Sequence, residues 1–398
     1  MIELYDDPAQ MEPLFIDSSR QAYGPLIGRA HELCEASACF ESSIAPLTAQ
    51  SLSELVAGMN CYYSNLIEGH HTLPFEIERA LHDPKKSDIK TLASAHIEAD
   101  NWAQTQSINK DAIHSFVLQT HQRFCEKLPL DMLKLKDGSS MIPGQFRSQE
   151  VHVGQHVAPE AANLDRFMSR FATTYGNYLE KAKLSGINKL EGILASFIAH
   201  HRFVWIHPFP DGNGRVSRIL LDAMLRECGV NKTSLWSMSR GFAKTAEQYK
   251  SMLAEADRPR MGDLDGRGNL SERTLIAFCE YAMSTAIDQT KFMTQMFALD
   301  QFKRRAEHFF RNVRFDLKPE SSHLYLQAFT HGEFERMEAG RITGLAERTA
   351  RNVLNQLIKE GFLVSDTPKG KVRVGFPVHA LGSLLPNLYP AGDVDLVK

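Results

Sequence analysis

Apolar residues recur at three- and four-residue spacing through the first three quarters of the chain, the period of a helix that buries one face. Leu52, Leu55, Val56 and Met59 form one such stripe, which predicts a helix running to a stop near Gly69. Leu190, Ile193, Leu194, Phe197, Ile198 and Val204 form a second, and Val216, Ile219, Leu220, Ala223 and Met224 a third that ends at Gly229. The polar stretch between the last two is therefore a loop held between core helices. The helical pattern breaks at residues 144–159, where Val151, Val153 and Val157 flank Gly154-Gln155 and predict a short β-hairpin.

Beyond about Asn312 the character changes. Residues 322–340 are short and mixed; Ile342, Leu345 and Ala346 then lead into Arg348–Lys359, whose Val353, Leu354, Leu357 and Ile358 make an apolar stripe. Phe362-Leu-Val364, a turn at Thr367–Gly370 and Val372-Arg-Val374 follow. Two short helices and a β-hairpin resemble a winged helix-turn-helix, with Arg348, Arg351 and Asn355 on the second helix and Lys369, Lys371 and Arg373 on the wing. From Arg341 to Arg373 basic residues exceed acidic ones by four, enough to permit contacts to nucleic-acid phosphates through residues 341–375.

Composition narrows the class. Hydrophobic residues at 43 % and charged ones at 23 % are ordinary for a globular chain, and 398 residues suffice for two or three units. A net charge of −3 argues against coating nucleic acid along the whole length. No apolar run is long enough to span a bilayer, the start lacks a secretory pattern, and Cys34, Cys39, Cys61, Cys125, Cys228 and Cys279 lack metal-site spacing. The expectation is a cytoplasmic protein with reduced thiols.

The loop after the second stripe concentrates the chemistry: His207-Pro-Phe-Pro-Asp-Gly-Asn-Gly-Arg-Val-Ser-Arg218. Histidine can take a proton from a hydroxyl near neutral pH, since its unperturbed pKa is about 6.5. Gly212 and Gly214 can free backbone N–H groups for phosphate oxygens, and a helix starting at about Gly214 adds its positive dipole end. Arg215 and Arg218 are then neighbours on one helix face. The adjacent His200 and His201 raise a histidine-held metal, but neighbouring helical residues point about 100° apart and cannot easily share one ion.

This loop resembles the Fic family signature HPFxxGNGRxxR at every specified position. The resemblance implies a mainly α fold: a Fic-like helical core with a β-hairpin flap, preceded by an inhibitory helix and followed by the small winged module. The corresponding boundaries are an N-terminal helical region at 1–94, a core at 95–290, a helical linker at 291–320 and the winged module with its tail at 321–398. It also implies transfer of AMP from ATP to a Ser, Thr or Tyr hydroxyl of a protein. His207 is then the base, Asp211 the Mg²⁺ ligand rather than a helix cap, and Gly212, Asn213, Gly214, Arg215, Arg218 and Tyr249 the nucleotide-binding set. Residues Gln149, Glu150, Val151, His152 and Val153 correspond to the flap that pairs with the target as an added strand.

Ser64-Asn-Leu-Ile-Glu68-Gly69 resembles the family's inhibitory motif [S/T]xxxE[G/N]. A glutamate at a helix C-terminus is unfavourable unless a cation answers it, and Arg218 is the expected cation. The pair would act as a latch on ATP, and in some family members the same glutamate supports removal of AMP. The target protein stays open, this chain itself included, and so does the oligomeric state, a homodimer included. Two other readings stay open from the sequence: a DNA-binding regulator whose Fic core senses nucleotide, and phosphotransfer from another donor.

Overall fold

The computed structural model describes residues 5–82, 91–135, 138–154, 156–390 and 393. Gln155, at the turn of the expected hairpin, and the outermost residues of the expected terminal regions lie outside them. The fold is mainly helical. Its N-terminal part holds α1 (Tyr23–Ser43), α2 (Pro46–Ile67), α3 (Pro74–His82), α4 (Leu92–Gln104) and α5 (Ile113–Glu126). Next come a hairpin of β1 (His152–Val153) and β2 (His156–Val157), then α6 (Leu164–Ala182), α7 (Ile187–Ile206) and α8 (Asn213–Glu227). The central part closes with α9 (Met238–Lys244), α10 (Ala246–Ala256) and the long α11 (Glu272–Phe297).

Helix α7 is the axis of the core. From Gly192 to Ile206 all but one of its residues are buried, as expected of a helix apolar on every side and enclosed by neighbours, here α1, α6, α8 and α11. It ends where His207 turns left-handed (φ 50°, ψ 58°) ahead of Pro208, a residue that disfavours helix before it. Helix α8 is capped five residues after His207 by Gly212, whose φ of 82° suits glycine. The loop thus hangs between two buried helices. Helix α2 lies across α8, and every residue from Val56 to Asn65 is buried.

Helix α12 (Leu299–His308) and a π-helical turn at Phe309–Val313 lead into the C-terminal part. There α13 (Ser321–His331), β3 (Glu333–Phe334), α14 (Ala339–Thr343), α15 (Glu347–Lys359), β4 (Leu363–Val364) and β5 (Val372–Val374) follow in order, and α16 (Val378–Leu384) closes the series. The antiparallel sheet has the order β3-β5-β4, with Glu333 opposite Arg373 and Leu363 opposite Val374. Residues 322–340 therefore hold more order than their mixed pattern suggests: Leu324, Tyr325, Ala328 and Phe329 give α13 a buried face, and β3 adds a third strand. This part rests on α2, where the Thr48 hydroxyl donates to Phe329 O at 2.7 Å. Among the described residues no helix is long and apolar enough to cross a membrane.

Candidate functional site

His207 is fixed from several sides. Its N–H continues the last turn of α7 to Phe203 O at 3.1 Å, and its Nδ1 lies 3.3 Å from Val204 O. A carbonyl can only accept, so Nδ1 carries the proton and Nε2 keeps its lone pair. Burial pushes the ring's pKa down to about 4, with the cationic neighbourhood of His156 and Arg147 adding to it against the pull of Val204 O and Asp211. The imidazole is neutral and basic at Nε2 at pH 7.

The loop is braced by its own residues. Asn213, 2 % exposed, accepts from Phe209 N at 2.9 Å and donates to Phe209 O at 2.7 Å. Its side chain holds the loop with one donated and one accepted bond, and its backbone N–H is available to a ligand. The first intrahelical bond of α8 runs from Val216 N to Gly212 O, so the N–H groups of Asn213, Gly214 and Arg215 have no helical acceptor. Phe209 stacks on His121 with ring centres 3.8 Å apart, and His121 Nδ1 accepts from Gly144 N at 3.0 Å. Asp211 is exposed; its Oδ1 takes Gly212 N at 2.6 Å, and Oδ2 has no hydrogen bond among the described residues. The free carboxylate oxygen suits Mg²⁺, which takes one or two carboxylates and draws its other oxygens from phosphates and water, and the neighbouring N–H groups suit the phosphates.

Arg218 and the end of α2 meet as an ion pair. Glu68, the C-cap of α2, places Oε1 2.7 Å from Arg218 Nη2. Ser64, wholly buried, accepts from Arg218 Nε through its hydroxyl and from Nη2 through its carbonyl, each at 3.0 Å. Burial would raise the Glu68 pKa, but Arg218 and Arg215 outweigh it and hold the carboxyl below its usual range. A Cβ at Gly214 would collide with Glu68 Oε1, so the carboxylate lies directly on the start of α8. It occupies the place where the helix offers its N–H groups to an anion.

Tyr249 stands behind this pair. It is 2 % exposed, with its hydroxyl 2.9 Å from His200 Nε2 and its ring stacked on Phe242. Burial raises its pKa to about 12. It lies beside Arg218. His200 and His201 face different partners: Ser217 O and Tyr249 for the first, Leu253 O and Asp257 for the second.

The hairpin is short, pairing His152 with Val157 and Val153 with His156. Gln149, Glu150, His152 and Val153 are exposed, Val151 is half-buried, and the outer edge of β1 has no partner strand among the described residues. Glu150 accepts from Ala161 N at 3.0 Å, which fixes the hairpin's base. Two residues that the sequence did not single out tie the hairpin to the loop. Buried Arg147 donates to His207 O and Gln149 O at 2.9 Å each and to Pro159 O. His156 Nε2 lies 2.7 Å from Trp205 O. Both lie in the 144–159 segment, but nothing in its pattern marks these two side chains.

Residues 111–225 match the model of the Fic/DOC family. The protein adenylyltransferase Fic of Drosophila grimshawi is 38 % identical over 86 residues, covering 22 % of this chain and 16 % of that protein. Its namesake in Nematostella vectensis is 27 % identical over 174 residues, covering 42 % and 37 %. The chain thus spans well under half the length of these relatives. Among solved structures, a Fic family protein from Desulfovibrio desulfuricans is 17 % identical over 90 % of this chain and 97 % of its own, with a TM-score of 0.48. Residues 134–508 of Fic-1 from C. elegans are 15 % identical over 70 % and 73 %, with a TM-score of 0.47.

Proposed function

We propose that the protein is a nucleotidyltransferase that moves AMP from ATP to a Ser, Thr or Tyr hydroxyl of a protein, and that Glu68 restrains it at rest. The observation that carries this reading is the neutral His207, whose Nε2 has no hydrogen bond among the described residues, five residues before the helix cap Gly212, after which the N–H groups of Asn213, Gly214 and Arg215 have no helical acceptor. The match of residues 111–225 to the Fic/DOC family supports it.

The reaction balances as follows. The hydroxyl oxygen attacks the α-phosphorus, the bond to the bridging oxygen breaks, pyrophosphate leaves, and the hydroxyl proton passes to His207 Nε2. General-base help of this kind contributes about 10²–10⁴-fold. The N–H groups of Asn213, Gly214 and Arg215, with the two guanidinium groups, stabilise the charge that gathers on phosphate oxygens. Asp211 would hold Mg²⁺, which supplies charge neutralisation for the phosphates when bound.

The latch follows from position as well as charge. Glu68 holds Arg218 and its carboxylate lies on the anion site at the start of α8, so ATP must displace it to place its phosphates there. For the acceptor, the open edge of β1 supports docking of an extended target segment as a third strand, with little demand on its side chains. The C-terminal helices and three-stranded sheet support a winged-helix reading. Arg348, Arg351 and Lys359 are exposed on α15, and DNA or a protein is the partner class such a face fits. The wing is less available than its composition suggests: Lys371 pairs with Glu333 at 2.7 Å and Arg373 with Asp366 at 2.9 Å.

Incubation with ATP labelled at the α- or at the γ-phosphate tests the reaction. Label on protein from the α-position alone is expected. Label from the γ-position alone would replace this reading with phosphotransfer, and specific DNA binding with no label from either would favour a nucleotide-sensing regulator.

A further inference from the structure

Arg215 points inward from the first turn of α8 and is 3 % exposed. Its Nε donates to Asn65 Oδ1 at 3.2 Å, and its guanidinium carbon lies 5.1 Å from the centre of the Phe124 ring. Its Nη2 is buried and has no hydrogen-bond partner among the described residues. Leaving such a donor unpaired is costly, and the cost is tolerable where an acceptor is to arrive.

Asn65 is built to do one thing. It is fully buried on the last turn of α2, and its Nδ2 faces the Thr72 hydroxyl at 3.3 Å and Cys61 Sγ at 3.6 Å. With the amide nitrogen turned that way, Oδ1 is the atom presented to Arg215. The backbone is equally fixed, since Asn65 O accepts the N–H groups of Glu68 and His70 at 3.1 and 2.9 Å.

We propose that Asn65 is a positioning residue for Arg215: its Oδ1 accepts the Nε–H hydrogen bond and leaves Nη2 as a donor for a phosphate oxygen. The inference rests on the nucleotide-transfer reading and changes how its restraint is released. A single turn of α2 carries both the brake, Ser64 and Glu68 on Arg218, and a support for the active site, Asn65 on Arg215. Activation is therefore a movement of the Glu68 side chain at the end of the helix. Departure of α2 would disarm Arg215 at the moment it freed Arg218.

The test uses the full chain carrying Glu68→Gly, so that the brake is absent, and reads ATP affinity by titration alongside label transfer and thermal melting. Asn65→Leu keeps the branched outline, with somewhat more volume, and removes the acceptor; Asn65→Asp keeps an acceptor oxygen. ATP affinity is expected to fall about 10- to 100-fold in the first, the range for a lost hydrogen bond to a charged group, and to recover to within about threefold in the second. Thr72→Val, which frees the amide to turn, is expected to weaken ATP binding about threefold and keeps the idea testable if Asn65→Leu does not fold. Unchanged ATP affinity in Asn65→Leu, equal loss in Leu and Asp, or transfer that rises further when Asn65 is replaced would each overturn the proposal. Normal ATP binding without any transfer in the Glu68→Gly parent would instead count against the reaction and leave the Asn65 result readable.

Discussion

Replacing Glu68 by glycine removes the carboxylate that pairs with Arg218 and rests on the start of α8. Two unit charges about 4 Å apart attract by about 1 kcal/mol in water and about 4 kcal/mol at an effective dielectric of 20. The Glu68 side chain is 32 % exposed and that of Arg218 2 %, so the pair lies between these limits and solvent screening lowers the upper one. A restraint of about 1–3 kcal/mol follows, and transfer is expected to rise about 5- to 150-fold when it is lost. The carboxyl's lowered pKa means that the pair is complete above the unfolded carboxylate value of about 4.3 and is lost as pH falls through the folded value, so the gain should be full at pH 7. The assay is initial-rate transfer from α-labelled ATP by wild type, Glu68→Gly, Arg218→Ala and the double variant. If freeing Arg218 is the cause, Arg218→Ala cancels most of the gain; if loosening of α2 is the cause, the gain survives. Unchanged transfer in Glu68→Gly, with folding and ATP binding intact, would refute the latch.

Other perturbations follow from the same geometry. Because burial holds His207 near a pKa of about 4, kcat/KM should keep its base form through pH 6 and fall only toward pH 4–5; an acid limb centred at 6.5 in a pH–rate profile would contradict this. By the same linkage the unfolded state binds more protons than the folded one between those values, so wild type should lose stability relative to His207→Ala as pH drops from about 6.5 to about 4, as thermal melts can show. Gly214→Ala should lower the melting temperature, because its Cβ displaces Glu68 Oε1 from Arg218, and should weaken ATP binding, because the same Cβ stands on the anion site; wild-type affinity by calorimetry would argue against an anion site there. Arg147→Ala should lower transfer to protein about tenfold or more with ATP affinity nearly unchanged, and should speed hydrogen exchange over residues 151–158, because it leaves the carbonyls of His207, Gln149 and Pro159 without their donor. If the C-terminal part binds DNA, Lys371→Ala and Arg373→Ala should matter less in gel shifts than Arg348→Ala, the first two being already paired with carboxylates.

The amphipathic stripes made the helices around the loop readable, because a 3.6-residue period survives in sequence wherever one face is buried. The loop from His207 to Arg218 was readable for another reason: its residues are contiguous, so backbone geometry alone brings base, N–H groups and arginines together. Glu68 needed a motif, and its contact with Arg218 spans 150 positions. Arg147, His156 and Asn65 escaped because their partners are backbone carbonyls or a distant arginine, and neither leaves a pattern. Spacing likewise does not carry that the Asn213 amide braces Phe209 or that Tyr249 is buried against His200; burial and competing partners are tertiary facts.

The most direct test of the central claim is label transfer from α-labelled ATP by Glu68→Gly and by Glu68→Gly with His207→Ala, each followed by intact-protein mass analysis. The expected result is a mass increase of one AMP in the first and a loss of about 10²–10⁴-fold in rate in the second, with ATP still bound. Equal transfer by both proteins would remove His207 from the chemistry and with it the proposed mechanism.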